Sequence, residues 1–294
     1  MQYNNYTLKK DGNTLIVKGV KDFDPVHVFE CGQCFRWNKT ENGSYRGVVS
    51  NRYVEVSVVG DELHINNATE QDFIDIWYDY FDLGTDYSEI KRLIEKDEIM
   101  KEAVKAGAGI RLLKQDFWEV LISFIISANN GIPRIMKTVE HLSQLMGNQI
   151  DATSGAYQFP AISQIATKTL EEVQQCRAGF RCKYIHQTSK IMHENAIDKK
   201  RLLTMDTESA RKELMMLPGV GPKVADCILL FSGTKYNVFP TDVWVKRVME
   251  ELYLKREASL KEIQAFAKDY FGDLTGYAQQ YLFYYARLNK IGSK

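Results

Sequence analysis

Lys223 and Asp242 are the two side chains whose types and spacing most directly suggest chemistry. Lys223 follows a glycine-rich turn in LPGVGPKVADC (217–227), and Asp242 comes 19 residues later in FPTDVW (239–244). A lysine in the first turn of a helix meets the positive end of the helix dipole, which favours the neutral amine that a nucleophile needs. Asp242 fits the cap position of the helix that begins at VWVKRV. A phosphate contact for Lys223 and a purely structural cap for Asp242 stay open, but the pairing of the two favours chemistry.

The segments on either side of Lys223 have a helix–hairpin–helix pattern. TESARKELMML (207–217) has helical period, Pro218 ends it, and VADCILLF (224–231) resumes that period. The intervening Gly219-Val220-Gly221 must be a tight turn, because glycines allow positive φ, and Val220 then points back to staple the helices. The free amides of such a turn and of the second helix form an anion site suited to a DNA phosphate.

The whole chain predicts an α+β protein, with an antiparallel sheet first and helices after it. Up to residue 67, five short segments are rich in β-branched and aromatic residues: TLIVKG, CFRWNK, SYRGVVS, RYVEVSVV and ELHINN. Asn42-Gly43 and Gly60-Asp61 are hairpin turn signals between them.

Helical spacing takes over from residue 69, and capping residues mark helix starts at Asp116, Thr169 and Ser259. We divide the chain into a sheet domain with flanking helices (1–113) and a helical catalytic region (114–294). We also allow the last helices to pack back on the first domain.

Composition favours an ordinary globular protein that works in a reducing compartment. Of 294 residues 45% are hydrophobic and 26% charged, and no apolar run approaches the ~20 residues that span a bilayer. The five cysteines are an odd number, and the N-terminus lacks the apolar core of a signal peptide. We expect a cytoplasmic, nucleoid-associated location in a bacterial-type cell, or a nuclear one in a eukaryote, and no secretion.

The net charge is zero overall but is divided unevenly along the chain. Residues 1–113 carry 14 Lys+Arg against 19 Asp+Glu, a balance of −5, so the remaining 24 and 19 give residues 114–294 a balance of +5. The basic half contains the hairpin, which points mildly to an anionic partner there.

Residues 217–244 resemble the helix–hairpin–helix, glycine–proline–aspartate (HhH-GPD) superfamily of DNA glycosylases, and within it the 8-oxoguanine DNA glycosylases. Further motifs of that family occur in the family's order: CGQCFRW (31–37), SFIISANNGIPRI (123–135), AGFRCKYI (178–185) and GYAQQYLF (276–283). The similarity runs from about residue 30 to residue 285. It implies a TBP-like N-terminal sheet followed by an all-helical HhH-GPD domain.

The resemblance implies a bifunctional base-excision enzyme that acts on double-stranded DNA containing 8-oxoguanine. The damaged nucleotide would be flipped out of the duplex, because its glycosidic bond is unreachable in the stack. Lys223 would attack C1′ and displace the base, and β-elimination through a Schiff base would nick the strand. Asp242 would position Lys223 and stabilise the positive charge on the sugar.

The resemblance also assigns a base pocket to Gly32, Cys227, Phe231, Gln279 and Phe283. Cys227 and Phe283 would sandwich the flipped base between a soft sulfur and an aromatic face. The carbonyl of Gly32 would accept the N7–H that distinguishes 8-oxoguanine from guanine, and Gln279 would bond the Watson–Crick edge.

Four further residues are implied contacts to the opposite cytosine and to the gap in the duplex: Asn129, Arg134, Phe180 and Arg181. The hairpin residues Gly219, Val220 and Gly221 would hold DNA phosphate. Phe180 stands where the family has a tyrosine, so discrimination for cytosine could be looser here. Asn129 could instead belong to a helix end and turn, and Phe283 could be a core residue.

We expect no metal or iron–sulfur cluster and a monomeric protein that does not bind membranes. No cysteine follows Cys227, so the four-cysteine motif of iron–sulfur relatives is absent. Cys31-x-x-Cys34 lacks a second ligand pair at zinc spacing. The one ion that we allow is a monovalent cation at the hairpin.

Two other functions stay open at this point. One is a non-catalytic helix–hairpin–helix DNA-binding protein, in which Lys223 contacts phosphate. The other is a monofunctional glycosylase for alkylated or mismatched bases, in which Asp242 activates water and no lysine adduct forms.

Overall fold

The computed structural model of the protein describes residues 1–151, 153–195 and 197–291. The N-terminal part contains one antiparallel sheet of seven strands in the spatial order β1-β2-β3-β7-β6-β5-β4. The strands are β1 (Gln2–Tyr3), β2 (Tyr6–Asp11), β3 (Thr14–Lys18), β4 (Trp37–Lys39), β5 (Tyr45–Val49), β6 (Arg52–Val59) and β7 (Glu62–Asn66).

The five predicted strands are confirmed as β3 to β7, and the two turn signals connect β4 to β5 and β6 to β7. Strands β1 and β2 were not predicted from the sequence. Strand β2 has lysines at positions 9 and 10 and buries only Tyr6 and Leu8, so it does not have the composition of a typical strand. Pairing with β3, from Thr7 opposite Lys18 to Asp11 opposite Thr14, holds it in the sheet.

The helices in the described residues follow the sheet, except α1, which lies between β3 and β4. They are α1 (Pro25–Phe29), α2 (Glu70–Asp72), α3 (Tyr78–Tyr80), α4 (Tyr87–Ile94), α5 (Glu98–Ala106), α6 (Phe117–Ser127), α7 (Ile132–Met146), α8 (Ile162–Ala166), α9 (Leu170–Gln174), α10 (Arg181–Glu194), α11 (Lys199–Thr204), α12 (Thr207–Leu214), α13 (Pro222–Phe231), α14 (Val243–Val248), α15 (Leu260–Phe271) and α16 (Thr275–Leu288). Phe73–Trp77 and Met249–Leu254 form π-helical turns, and Gly272–Leu274 forms a 3₁₀ turn.

The predicted helix starts have the expected caps. Asp116 accepts the Glu119 N–H at 2.9 Å, and Thr169 and Ser259 each form a reciprocal capping box with the glutamate three residues later. These caps satisfy amides that have no partner within the helix, so the local sequence alone specifies where the helices begin.

The buried apolar side chains form two clusters. One lies between the sheet and the helical segment 70–80 and includes Leu15, Val56 and Trp77. The other surrounds α6, whose Leu121, Ile125 and neighbours are buried on nearly all sides. Helices α4 and α5 contribute to this second cluster through contacts with α16, so the last helix does return to the N-terminal region. The division after residue 113 stays a prediction.

None of the helices within the described residues combines the length and the apolar character that crossing a bilayer requires.

Candidate active site and DNA-binding surface

The glycine hairpin joins α12 to α13 and packs against α10. Gly219 has φ +83°, and a Cβ atom there would lie 2.8 Å from the Cβ of Tyr184, so no other residue fits without displacement. Val220 is buried, and its N–H donates to the Leu217 carbonyl at 3.1 Å. The hydroxyl of Thr188 donates to the Pro218 carbonyl at 2.9 Å. The hairpin is therefore fixed to α10 as well as to its own two helices.

Helix α13 begins with an open N-terminus. Its cap residue, Gly221, has no side chain to accept a hydrogen bond, and Pro222 at the first helical position has no N–H. Gly221 and Pro222 are both exposed. The remaining first-turn amides are thus available to an external anion such as a phosphate oxygen.

Lys223 and Asp242 line one pocket, although they lie on different helices. Lys223 is half-buried in the first turn of α13, with its Nζ 5.4 Å from the centroid of the Phe124 ring. Asp242 caps α14, and its Oδ1 accepts the Val245 N–H at 2.9 Å. This bond fixes the carboxylate in place while the side chain still borders the pocket.

The pocket beside Lys223 is small, about 40 Å³, and opens beside a cleft of about 670 Å³. Its lining is Gly32, Phe124, Lys223, Cys227, Phe231, Pro240, Asp242, Gln279, Gln280 and Phe283. The fold therefore brings together both candidate catalytic residues and the entire predicted base pocket, from segments as far apart as residues 32 and 283.

Gly32 occupies a position that favours glycine. Its φ is +83°, and an added Cβ would lie 3.0 Å from Cε1 of Phe283 and 3.4 Å from Cδ1 of Ile132. The neighbouring Gln33 is fully buried and holds this loop, since its Nε2 donates to the carbonyls of Val28 and Arg111 at 2.9 and 2.8 Å. In the CGQCFRW segment, the glycine is thus explained by its close approach to Phe283, and the glutamine by the hydrogen bonds that hold the loop in place.

Cys227 provides an uncharged wall of the pocket. It is buried, and this burial raises the pKa of its thiol to about 11, with the nearby Lys223 opposing the rise. A protonated sulfur is a polarizable and nearly apolar surface, which suits the face of a base. Phe283 also lines the pocket and is partly buried, with the Arg287 guanidinium 5.4 Å from its ring centroid.

Gln279 places an unpaired acceptor in the pocket. The side chain is only 4% exposed, and its Oε1 has no hydrogen-bond partner among the described residues. An unsatisfied buried acceptor costs about 1–3 kcal/mol, a cost that a donor on a bound ligand would remove.

The four residues predicted to contact the opposite base and the gap differ in how far they are exposed. Asn129, at φ +50°, lines the open cleft in the loop between α6 and α7, and Arg134 is exposed at the start of α7. Phe180 is 61% exposed. Arg181, in contrast, is only 5% exposed, and its guanidinium donates to the carbonyls of Ala128 and Asn129, each at 2.8 Å. It braces the Asn129 loop and does not line the cleft.

The cysteines in the first motif act as buried thiols. Cys31 and Cys34 donate to the carbonyls of Val28 and Phe29. Over residues 1–151, 153–195 and 197–291, no group of three or more His, Cys, Asp or Glu side chains is placed to hold a metal ion.

The two family models that match the chain meet within α6. Residues 15–121 match the N-terminal domain of 8-oxoguanine DNA glycosylase, and residues 122–272 match the HhH-GPD superfamily of base excision DNA repair proteins. The chain is an 8-oxoguanine DNA glycosylase of the HhH-GPD superfamily. The family that the sequence motifs suggested is thereby confirmed.

Curated relatives and solved structures agree with this family. A probable N-glycosylase/DNA lyase of Methanothermobacter thermautotrophicus is 34% identical over 229 residues, which cover 70% of this chain and 72% of the relative. N-glycosylase/DNA lyase OGG1 of Arabidopsis thaliana is 31% identical over 286 residues, covering 87% and 75%.

Two solved structures superpose over 97% of this chain and 99% of their own. MBOgg1, in complex with a low-affinity DNA ligand, is 49% identical with a TM-score of 0.94. The 8-oxoguanine glycosylase/lyase of Clostridium acetobutylicum, in complex with double-stranded DNA containing cytosine opposite 8-oxoguanine, is 42% identical with a TM-score of 0.93.

Two residues that shape the glycosylase pocket, Phe124 and Gln280, were not predicted from the sequence. Phe124 stacks on Phe231 with ring centroids 5.3 Å apart, and it lies in a run so uniformly apolar that helical period cannot single it out. Gln280 donates to the Cys31 carbonyl at 2.8 Å and ties α16 to the Gly32 loop. The signal for Gln280 was its polarity within an aromatic helix.

Proposed function

We propose that this chain excises 8-oxoguanine from double-stranded DNA and then nicks the strand, with Lys223 as the nucleophile. The relatives named N-glycosylase/DNA lyase and the 8-oxoguanine glycosylase/lyase bound to lesion-containing DNA support the substrate and the two activities. One observation carries the mechanism: Lys223 and Asp242 border the same pocket as the side chains suited to hold a flipped base.

The reaction begins once the lesion has left the base stack and its C1′ lies beside Lys223. The neutral Nζ forms a bond to C1′ as the bond from C1′ to the base breaks, and the base leaves with that electron pair. Ring opening gives a Schiff base, and β-elimination then breaks the strand 3′ to the lesion. Asp242, held by its cap bond to Val245, stabilises the positive charge that develops on the sugar.

The pocket recognises the lesion through one backbone and one side-chain group. The Gly32 carbonyl accepts the N7–H that 8-oxoguanine carries and guanine lacks. The unpaired Oε1 of Gln279 accepts an N–H from the Watson–Crick edge, which satisfies it. Cys227 and Phe283 flank the base plane, and Phe231 closes the end of the pocket.

The pocket must open before a base enters. About 40 Å³ holds roughly one water molecule, far less than a purine needs. Phe283 is only partly buried and lies where a Cβ on Gly32 would touch it. A rotation of Phe283 away from Gly32 is therefore the movement that admits the base.

The surface around the pocket holds the rest of the duplex. The hairpin residues Gly219, Val220 and Gly221, with the open N-terminus of α13, bind backbone phosphate in a sequence-independent way. Asn129, Arg134 and Phe180 face the gap and the opposite base, while Arg181 acts from beneath by fixing the Asn129 loop.

Several expectations from the sequence stay predictions. A monovalent cation at the hairpin would use carbonyls such as those of Leu217 and Pro218, which each accept one hydrogen bond and keep a second lone pair. No step of the mechanism depends on it. The lack of an iron–sulfur cluster or other cofactor, the monomeric state, and the cytoplasmic or nuclear location likewise stay predictions.

Borohydride trapping tests the mechanism. Incubation of the protein with an 8-oxoguanine duplex and borohydride should give a covalent protein–DNA adduct, because borohydride reduces a Schiff base. Lys223→Gln should abolish the adduct. Lys246→Gln is the matched control, since Lys246 lines the same cleft but lies outside the pocket, and this variant should still be trapped.

The alternatives give different results in the same assay. Base release without any adduct would indicate a monofunctional glycosylase in which Asp242 activates water. Binding with neither base release nor adduct would indicate a non-catalytic DNA-binding protein. Trapping that survives Lys223→Gln would exclude Lys223 as the nucleophile.

A further inference from the structure

Two cysteines border the loop that carries Phe180 and Arg181. Cys176 lies just beyond the end of α9, and Cys182 lies in the first turn of α10. Both side chains are buried, and their sulfur atoms are 3.9 Å apart, in thiol–thiol hydrogen-bond contact. The excision mechanism uses neither of them.

The two sulfurs are chemically unequal. The hydrogen bond with Cys176 lowers the pKa of Cys182, and the backbone amides of Ala178 and Cys182 act in the same direction. The hydrogen bond with Cys182, and burial after it, raise the pKa of Cys176. Burial also raises the pKa of Cys31, Cys34 and Cys227, so among the five cysteines Cys182 forms a thiolate most readily.

The loop between the two cysteines is tightly folded and open to solvent. Arg177 and Gly179 have φ of +60° and +66°, and Arg177, Gly179 and Phe180 are exposed. Hydrogen peroxide would reach the buried sulfurs by way of this exposed loop.

We propose that Cys176 and Cys182 are a redox-modification site, in which hydrogen peroxide oxidises the two thiols to a disulfide. The disulfide weakens the binding of DNA at the gap that the flipped base leaves in the duplex. The Cys182 thiolate attacks one peroxide oxygen and breaks the O–O bond, which gives a sulfenic acid and, after protonation, water. The sulfur of Cys176 then attacks the sulfenic sulfur, loses its proton and releases a second water. Overall two thiols lose two electrons to one peroxide.

The bond would act on DNA binding through Arg181. A disulfide requires a sulfur separation of about 2.05 Å, so the two sulfurs must approach by nearly 2 Å. Cys182 directly follows Arg181, whose bonds to the Ala128 and Asn129 carbonyls are 2.8 Å long. Hydrogen bonds weaken steeply when they are stretched or bent, so displacement of Arg181 loosens the Asn129 loop.

The test compares reduced and peroxide-treated protein. After blocking of free thiols and trypsin digestion, oxidised protein should contain residues 169–177 linked to residues 182–183. Its affinity for a duplex with an abasic-site analogue opposite cytosine should fall roughly tenfold, the factor that one charge-assisted hydrogen bond is worth. Dithiothreitol should restore it.

Matched variants separate this disulfide from other oxidation. Cys176→Ser and Cys176→Ala should bind DNA like the reduced wild type and lose the peroxide response. Cys34→Ser, at another buried thiol, should keep both the linked peptide and the response.

The absence of the linked peptide would overturn the proposal, as would a linked form with unchanged affinity or a peroxide response that persists in both Cys176 variants. The effect on DNA rests on the proposed function, whereas the linked peptide does not. Reduced protein that fails to excise 8-oxoguanine would therefore refute the function without bearing on the disulfide.

Discussion

The glycine at position 32 offers the sharpest test of how the pocket is built. Gly32→Ala adds a methyl group 3.0 Å from Cε1 of Phe283, in a backbone conformation with φ +83°. Two separable effects should follow. Positive φ in an alanine costs about 1–2 kcal/mol of folding free energy. The methyl group also occupies the space that a flipped base needs beside Phe283.

Two matched glycines isolate these effects. Gly43 has the same φ of +83°, but nothing lies within 4 Å of its Cβ position, so Gly43→Ala measures the backbone strain alone. Gly131 lines the cleft with φ −85° and has equally open space, so Gly131→Ala measures a methyl group at the DNA surface without strain.

The assays are urea unfolding and single-turnover excision of 8-oxoguanine from duplex DNA. Gly32→Ala and Gly43→Ala should both lose about 1–2 kcal/mol of stability. Only Gly32→Ala should also lose excision, by about a hundredfold, since misplacing a reacting group by an ångström costs that much. Wild-type excision by Gly32→Ala, or an equal loss in Gly43→Ala, would refute this account of the pocket.

Four further changes test other parts of the site. Asp242→Asn keeps an efficient helix cap but removes the charge, so stability should change by less than about 0.5 kcal/mol while excision falls at least about a hundredfold; a large fall in unfolding free energy would contradict the separation of the two roles. Gln279→Met removes the unpaired buried acceptor, so urea unfolding should show about 1 kcal/mol more stability, with weaker binding of 8-oxoguanine duplex in a titration. Burial raises the pKa of Glu119 from 4.5 to about 7, so the native state holds this proton more tightly and the free energy of unfolding should fall as the pH rises from 4.5 to 7. Glutamine does not titrate, so Glu119→Gln should remove about 2 kcal/mol of that fall. This is less than the full effect of the pKa shift, because about a fifth of the Glu119 side chain is exposed and solvent screens its charge. An unchanged pH profile would contradict this. Phe180→Tyr should raise the ratio of excision rates opposite cytosine to those opposite adenine, guanine and thymine, and an identical ratio would show that the missing hydroxyl does not matter.

The sequence by itself determined the features that depend on neighbouring residues. The capping boxes at Thr169 and Ser259 form between side chain and backbone three residues apart, so the local pattern suffices. The hairpin also has a local cause, because Pro218 ends the first helix and Gly219 permits the positive φ that the turn needs. The hairpin and four further motifs, in the order typical of the family, then indicated the family.

Other features depend on packing between distant parts of the chain, and only the tertiary structure decided them. Strand β2 exists because β3 pairs with it, and its own composition does not require a strand. Arg181 looks in the sequence like a cation for DNA, yet the fold buries it under the Asn129 loop, where carbonyls replace water as its acceptors. The closed pocket and the unpaired oxygen of Gln279 likewise depend on how α16 meets α13 and the Gly32 loop. No local pattern shows that residues 32, 223 and 283 line one pocket, because side-chain periodicity shows which face of an element is buried and not what buries it.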